Sequence, residues 1–210
     1  MFLDKLCKTN PNLIQTAVYM HQQEQIMPDT YVVDVDQFLE NAKAILQKAN
    51  EQNIELYHML KQIGRNPYLA MELEKVGYKG AVVVDFKEAE VMMKNHLHIA
   101  HAGHLVQIPS MMINQLVKYG CDYITVYSYE KLVEINEAAK KEGIIQNICV
   151  RVIGENDRIY SGQTAGFYLD QLEELVQKAK NLTHIEIAGV DNFPCFLYDE
   201  TTKQIEAQEN

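Results

Sequence analysis

The stretch Ile54-Glu55-Leu56-Tyr57-His58-Met59-Leu60-Lys61, followed at once by Gln62-Ile63-Gly64-Arg65-Asn66-Pro67, decides how the rest of the chain is read. An apolar, strand-like run ends on a lone lysine, and a glycine turn and helix-start signals follow. If the run is the first strand of an α/β barrel, Lys61 stands at the mouth, where strand ends and the loops after them build active sites. Partial burial there lowers a lysine pKa toward the neutral amine that attacks carbonyls, so the position suits Schiff-base chemistry. On spacing alone, a surface lysine at a strand end is the commoner explanation. Tyr57 and Met59 share the lysine's face, and His58 is expected on the opposite one, between sheet and helix.

Downstream the pattern is regular. Short β-rich runs at about 54–61, 80–84, 97–103, 121–127, 146–153 and 184–190 alternate with helical stretches. The helices carry start signals: Asn66 before Pro67, the spacing Asp85-x-x-Glu88, Pro109 after Ile108, and Ser128 ahead of Leu132 and Ile135. Gly77, Gly120 and Gly143 fall at the expected ends. Upstream, residues 11–26 read as a helix with Pro11 near its start and Leu13, Ile14, Ala17, Val18 and His21 on one face. Tyr31–Asp36 is expected to be a short strand, with Asp36 capping a helix whose stripe is Leu39, Ala42, Ile45, Leu46 and Ala49.

Strands that are apolar on both faces and joined by crossover helices imply a parallel sheet covered by helices. A barrel and a doubly wound sheet both fit. The barrel is favoured because no glycine-rich phosphate fingerprint follows the first strands. A complete (β/α)8 barrel takes about 250 residues, and only about six strand–helix units fit here, so the chain is expected to be an incomplete barrel. Residues 1–30 are read as an N-terminal helical extension and 31–210 as the partial barrel, with the polar tail from Asp199 as loop.

With 210 residues and 47% hydrophobic content the chain can bury a sizeable core. It has no apolar stretch of membrane-spanning length and no signal-peptide layout at Met1–Lys5, so a soluble cytoplasmic protein is expected. Cys7, Cys121, Cys149 and Cys195 are too scattered to suggest zinc or a redox pair. A net charge of −10 and a pI near 5.2 argue against non-specific nucleic-acid binding and leave a small molecule as the expected partner.

Several ordered segments carry a resemblance. They are Val33–Asp36, Leu60–Lys61 with Gly64–Pro67, His101-Ala102-Gly103-His104-Leu105-Val106-Gln107-Ile108-Pro109, Ser161-Gly162-Gln163-Thr164-Ala165-Gly166-Phe167, and Ala188-Gly189-Val190-Asp191-Asn192-Phe193-Pro194-Cys195. Through them the chain resembles the alanine-racemase-like N-terminal barrel of fold-type III pyridoxal-phosphate (PLP) enzymes, most closely the uncharacterised YhfX-like branch. The resemblance implies a PLP-binding TIM-type barrel in which Lys61 forms the Schiff base with the cofactor. It also implies amino acid racemisation by Cα proton abstraction through an external aldimine, with Lys61 as tether and base. Arg65, Asn66, His104 and Asn192 become cofactor-binding candidates with Lys61, the substrate a small molecule, an amino acid of open identity, and the full-length protein a homodimer.

The chain departs from alanine racemases in three places. Arg65 replaces a tyrosine after the lysine. Thr164 replaces an arginine, for which Arg158 is a conceivable substitute, and Asn192 replaces a histidine that packs on the pyridine ring. The family's main phosphate-binding loops, the arginine facing the pyridine nitrogen and the domain bearing a catalytic tyrosine all come after residue 210. Amino acid decarboxylation, a non-catalytic role in PLP binding or homeostasis, and a cofactor-free Schiff-base aldolase stand as alternatives.

The remaining candidates have simple structural explanations. His101 and His104, three residues apart at a strand-to-loop junction, are expected to turn apart and line a pocket or serve structure, with no metal held between them. Asp34 and Asp36 resemble a carboxylate pair but are explained by a strand end and a helix cap. Arg65 and Asn66 could meet an anion at a helix start, and Asn66 is equally an N-cap. Gly162 and Gly166 frame a loop that lets backbone approach a ligand.

Overall fold

The computed structural model describes residues 2–157 and 159–207. By its own packing the chain divides into two compact units, Met1–Leu56 with Met71–Tyr78, and Tyr57–Ala70 with Lys79–Asn210.

In the first unit, α1 (Phe2–Thr9) and α2 (Pro11–Gln22) meet at Asn10, whose side chain accepts from the Leu13 amide at 3.1 Å just ahead of Pro11. The helix expected over 11–26 thus ends at Gln22, and α1 precedes it. The strand expected at Tyr31–Asp36 is absent; residues 30–34 are irregular and lead into α3 (Val35–Glu51). Asp34 caps α3, not Asp36: its carboxylate accepts from the Gln37 amide at 3.0 Å and from the Asn10 side chain at 2.8 Å. Those hydrogen bonds, the Gln37 amide foremost, hold the Asp34 carboxyl below its ordinary pKa. Asp34 is thereby spent on a helix end.

In the second unit five parallel strands lie in chain order: β1 (Ala81–Val83), β2 (Ile99–Ala102), β3 (Tyr123–Val126), β4 (Gln146–Arg151) and β5 (Ile185–Asp191). The helices α5 (Phe86–Lys94), α6 (Ser110–Tyr119), α7 (Tyr129–Glu142) and α8 (Leu172–Ala179) alternate with them. The start signals work as read, with Asp85 accepting from the Glu88 amide and Ser128 from the Lys131 amide. Glu88 does not complete a capping box; its carboxylate takes the Val84 amide at 2.7 Å. Gly120 and Gly143 close α6 and α7 in the left-handed conformation, φ 96° and 67°. Ile99, Ile124, Ile148 and Val150 from the strands are almost fully buried, as are Met92, Leu116, Leu132 and Ile135 from the helices.

On a flat parallel sheet β2 and β5 would stand about 14 Å apart, three strand spacings. Yet His104, two residues beyond β2, places Nδ1 3.0 Å from the Asp191 carboxylate at the end of β5. The sheet is therefore curled like the wall of a barrel, and side chains at the strand ends meet on its inner side.

The run expected as the first strand, 54–61, is reduced to one parallel bridge between His58 and Ala81. The tail also differs from expectation. Residues 196–207 form an antiparallel hairpin of β6 (Phe196–Asp199) and β7 (Gln204–Ala207). Its turn is set by the Asp199 carboxylate, which accepts from the Thr201 and Thr202 amides at 2.7 and 2.8 Å.

Candidate functional site

Backbone extension stops at Leu60, φ −107° and ψ 12°, and Lys61–Ile63 form a 3₁₀ turn. Gly64 and Arg65 follow in the left-handed region at φ 73° and 55°. Leu60 is buried and anchors the turn, with its carbonyl accepting from the Ile63 and Arg65 amides. Lys61 is therefore lifted off the line of the sheet and is exposed, where partial burial was expected. Among the described residues its amine makes no hydrogen bond or ion pair, and it stands free at the C-terminal edge of the parallel sheet. His58 is buried as expected, and that burial pushes its pKa down to about 4, so the ring is neutral.

Arg65 and Asn66 lie at the same junction with other commitments. The Arg65 guanidinium pairs with Asp85 at 2.8 Å, tying the Lys61 turn to the start of α5. Asn66 accepts from the Tyr68 and Leu69 amides and caps α4 (Pro67–Val76). Burial raises the pKa of Glu88 beneath them, against the Val84 amide and the Arg65 charge.

A second group of side chains gathers around His104. Gly103, at φ 85°, runs so close to β3 that a Cβ there would lie 2.7 Å from the Thr125 carbonyl oxygen. The Tyr127 hydroxyl sits between the carbonyls of Gly103 and His104. The Gln107 side chain donates to the Thr125 carbonyl and accepts from the Tyr127 amide. With its loop held in this way, His104 places Nδ1 3.0 and 3.1 Å from the two Asp191 oxygens. His101 Nε2 lies 2.6 Å from the Thr125 hydroxyl, which in turn reaches Asp191 at 3.4 Å. The two imidazoles do not turn apart: their centroids are 5.7 Å from each other, because the left-handed step at Gly103 breaks the strand alternation. Among the described residues no group of three or more His, Cys, Asp or Glu is arranged to hold a metal ion.

The charges here are sharply tuned. Burial pushes His101 down to about 4, only partly opposed by Asp191. For Asp191 burial acts upward, but the His104 hydrogen bond and the charges of His104, His101 and Arg151 outweigh it and hold the carboxyl below its ordinary value. Burial raises the Tyr127 phenol far above its usual range.

Arg151 closes β4 and is only 2% exposed. Its Nη2 donates to the Phe193 carbonyl at 2.7 Å, and Nη1 has no partner among the described residues. The Phe193 ring meets the His104 ring edge-on, with centroids 5.3 Å apart. His104, Gln107, Tyr127, Arg151, Gly162 and Gln163 line a cavity of about 220 Å³. Asn192 faces other partners, donating to the Val152 carbonyl and the Asp157 carboxylate. Thr164 is exposed, and Arg158 lies outside the described residues. Sequence reasoning gave Arg151, Asp191, Thr125 and Tyr127 no role. Arg151 and Asp191 nevertheless carry the signal that marked Lys61, a charged residue closing an apolar run.

The profile of the alanine racemase N-terminal domain matches residues 33–210. The chain belongs to this family. Its fold is that of a PLP-binding family that includes racemases and decarboxylases. It is similar to the uncharacterized protein YhfX of Escherichia coli strain K12, with 45% identity over 205 residues covering 98% of this chain and 53% of that protein. This places it in the YhfX-like branch, and the chain spans about half the length of the curated relative it matches. Among solved structures it is similar in fold to a diaminopimelate decarboxylase (I148L mutant) from Helicobacter pylori complexed with L-lysine, at TM-score 0.67 and 19% identity over 83% of this chain and 46% of that one. It is also similar to D-threonine aldolase from Filomicrobium marinum, at TM-score 0.63 and 19% identity over 76% and 42% of the two chains. Among the described residues no helix is long and apolar enough to cross a membrane.

Proposed function

We propose that this chain is the lysine-bearing part of a PLP-dependent amino acid racemase that works as a cytoplasmic homodimer when full length. The observation that carries the reading is the free amine of Lys61 at the C-terminal edge of a curled parallel sheet, in a chain of the alanine racemase N-terminal family. The donor set suits the cofactor: an unpaired primary amine for its aldehyde, and beyond β2 an imidazole lining a mostly apolar cavity.

Lys61 would hold the cofactor covalently, with Arg65, Asn66, His104 and Asn192 as the surrounding candidates. Because Arg65 is already paired with Asp85 and Asn66 caps α4, their contribution is to set the Lys61 turn, and any anion contact is added to that. The cofactor, when bound, withdraws electron density from the Cα–H bond of the amino acid. The protein's own residues orient that bond, exclude water and move the proton. The Lys61 amine is the base that accepts it.

Borohydride reduction after incubation with PLP, followed by peptide mapping, tests the reading. The label is expected on Lys61, and Cα–H exchange of amino acids in D2O without CO2 release is expected from the intact protein. CO2 release would replace racemisation by decarboxylation. A label without exchange would leave a non-catalytic binder, and no label would remove the cofactor.

A further inference from the structure

In a regular parallel ladder the pairing of His58 with Ala81 would be followed by a rung at Leu60, whose carbonyl would accept from the Val84 amide. The rung at His58 is in place: His58 donates to the Gly80 carbonyl, and Val82 donates to the His58 carbonyl. The next one is not made. The Leu60 carbonyl turns instead to the Ile63 and Arg65 amides and closes the 3₁₀ turn that carries Lys61. The Val84 amide is left to Glu88, whose Oε2 accepts it at 2.7 Å. Glu88 reaches it because Asp85 caps α5 and accepts the Glu88 amide, so the first turn of the helix brings the side chain back to residue 84. A side-chain carboxylate thus stands in for a backbone carbonyl where the chain leaves the sheet, one residue before Lys61.

A carboxylate is a costly group to place there, because Glu88 is only 1% exposed. Burial raises its pKa most. The Val84 amide, the Arg65 guanidinium and, last, the Leu60 amide act against that rise, and the Asp85 charge adds to it. Arg65 and Asp85 are the charged groups that act on Glu88, one from the Lys61 turn and one from the start of α5, and they pair with each other at 2.8 Å. Glu88 Oε1 and Arg65 Nε are both buried and make no hydrogen bond among the described residues. Glu88 therefore holds Val84 by a charge-assisted bond and Arg65 by charge alone. Arg65 is the residue that the turn forces into the left-handed region, at φ 55°. A residue with a side chain keeps such a conformation only where its surroundings impose it.

We propose that Glu88 is the positioning residue of the Lys61 turn: its ionised carboxylate takes the Val84 amide in place of the Leu60 carbonyl, draws Arg65 inward, and so fixes the backbone from which Lys61 extends. The use of Lys61 rests on the PLP reading above, whereas the hold of Glu88 on the turn does not. When Glu88 takes up a proton, its bond to Val84 becomes a neutral one and its pull on Arg65 ends, and the turn loosens.

The test follows amide hydrogen exchange of the intact protein by NMR, with each rate compared with that of the unstructured peptide. At pH 8 Glu88→Gln is expected to lower the protection of the Ile63 and Arg65 amides about tenfold, the difference between a charge-assisted hydrogen bond and a neutral one, with the β3 amides within about twofold of wild type. In the wild type the same two amides are expected to lose protection relative to β3 as pH falls through the raised value of Glu88 to 4.5, its ordinary one, and in Glu88→Gln that dependence is expected to vanish. His58 titrates in part of this range but is present in both proteins, so the variant isolates Glu88. PLP is expected to form the Lys61-linked absorbance band about tenfold more slowly in the variant, because the amine is less well placed. Equal protection of Ile63 and Arg65 in the two proteins, a wild-type profile without pH dependence, or a loss shared equally by β3 overturns the assignment, as does an equal rate of band formation. A wild-type protein that forms no band removes the cofactor reading and leaves the exchange result to decide the role of Glu88.

Discussion

The Lys61 turn and the His104 cluster both follow the C-terminal end of an extended segment of the same sheet, yet they are built in opposite ways. Lys61 is exposed, and none of the described side chains holds its amine. His104 is two-point bonded to a carboxylate, its backbone carbonyl is held by Tyr127, and Phe193 lies on its edge. The comparison teaches that groups closing two lines of one sheet can be left to solvent or fixed in place, according to what packs beyond the strand end. A side chain held by burial and hydrogen bonds keeps one orientation, whereas an exposed amine keeps its rotamer freedom.

The sharpest way to break this contrast is through stability. Arg151→Met is expected to destabilise by roughly 2 kcal/mol or more, because it leaves the Phe193 carbonyl without its charged donor and removes one of the charges that favour the ionised Asp191. Lys61→Met should stay within about 0.5 kcal/mol of wild type in the same urea titration. Comparable losses at the two positions would abolish the distinction.

Acid should act next. The unfolded chain protonates His58 and His101 near the ordinary value of 6.5, whereas the folded chain does so only at about 4. The unfolded state therefore binds more protons between these limits, and stability must fall as pH drops from 6.5 to about 4, on the order of 1 kcal/mol per pH unit for each ring. Asp191, held below its ordinary 3.8, contributes stability that is present above that value and lost as pH falls through its lowered one. Melting curves across this range should flatten by one ring's share in His101→Gln. An unchanged slope would show that His101 is not buried as described.

The smallest effect is expected around the lysine. Asp85→Ala removes a helix cap, at about 1 kcal/mol. It also removes the half-exposed Arg65 pair, which adds less than about 1 kcal/mol. If chemical denaturation of Asp85→Ala showed a loss as large as that of Arg151→Met, the Lys61 turn would be as rigidly built as the His104 cluster.

What the sequence made legible was local. Asp85 and Ser128 cap helices, Gly120 and Gly143 end them, and the five strands fall where apolar runs fall, because propensity and capping act within a few residues. The errors arose where a distant or competing contact decided the outcome. Tyr31–Asp36 has strand composition, but Asp34 satisfies the first turn of α3 and Asn10 reaches across to it. The tail from Asp199 lacks apolar alternation, and its hairpin is imposed by the turn that Asp199 caps. Lys61 could be singled out because one run and one turn mark it. His104 could be named through the family resemblance, but its pairing with Asp191 spans 87 residues and depends on the curl of the sheet. No spacing rule reports a contact of that kind.

The segment leading to Lys61 joins the sheet through two backbone hydrogen bonds, His58 to the Gly80 carbonyl and Val82 to the His58 carbonyl. β2, which leads to His104, is paired on both sides. Opening the first also means exposing the buried Leu60 and His58 and parting the Arg65–Asp85 pair, and opening the second means parting three strands. The segment before Lys61 is thus the less firmly paired of the two at the C-terminal edge of the sheet. A local opening at His58 is expected at a free energy below that of global unfolding.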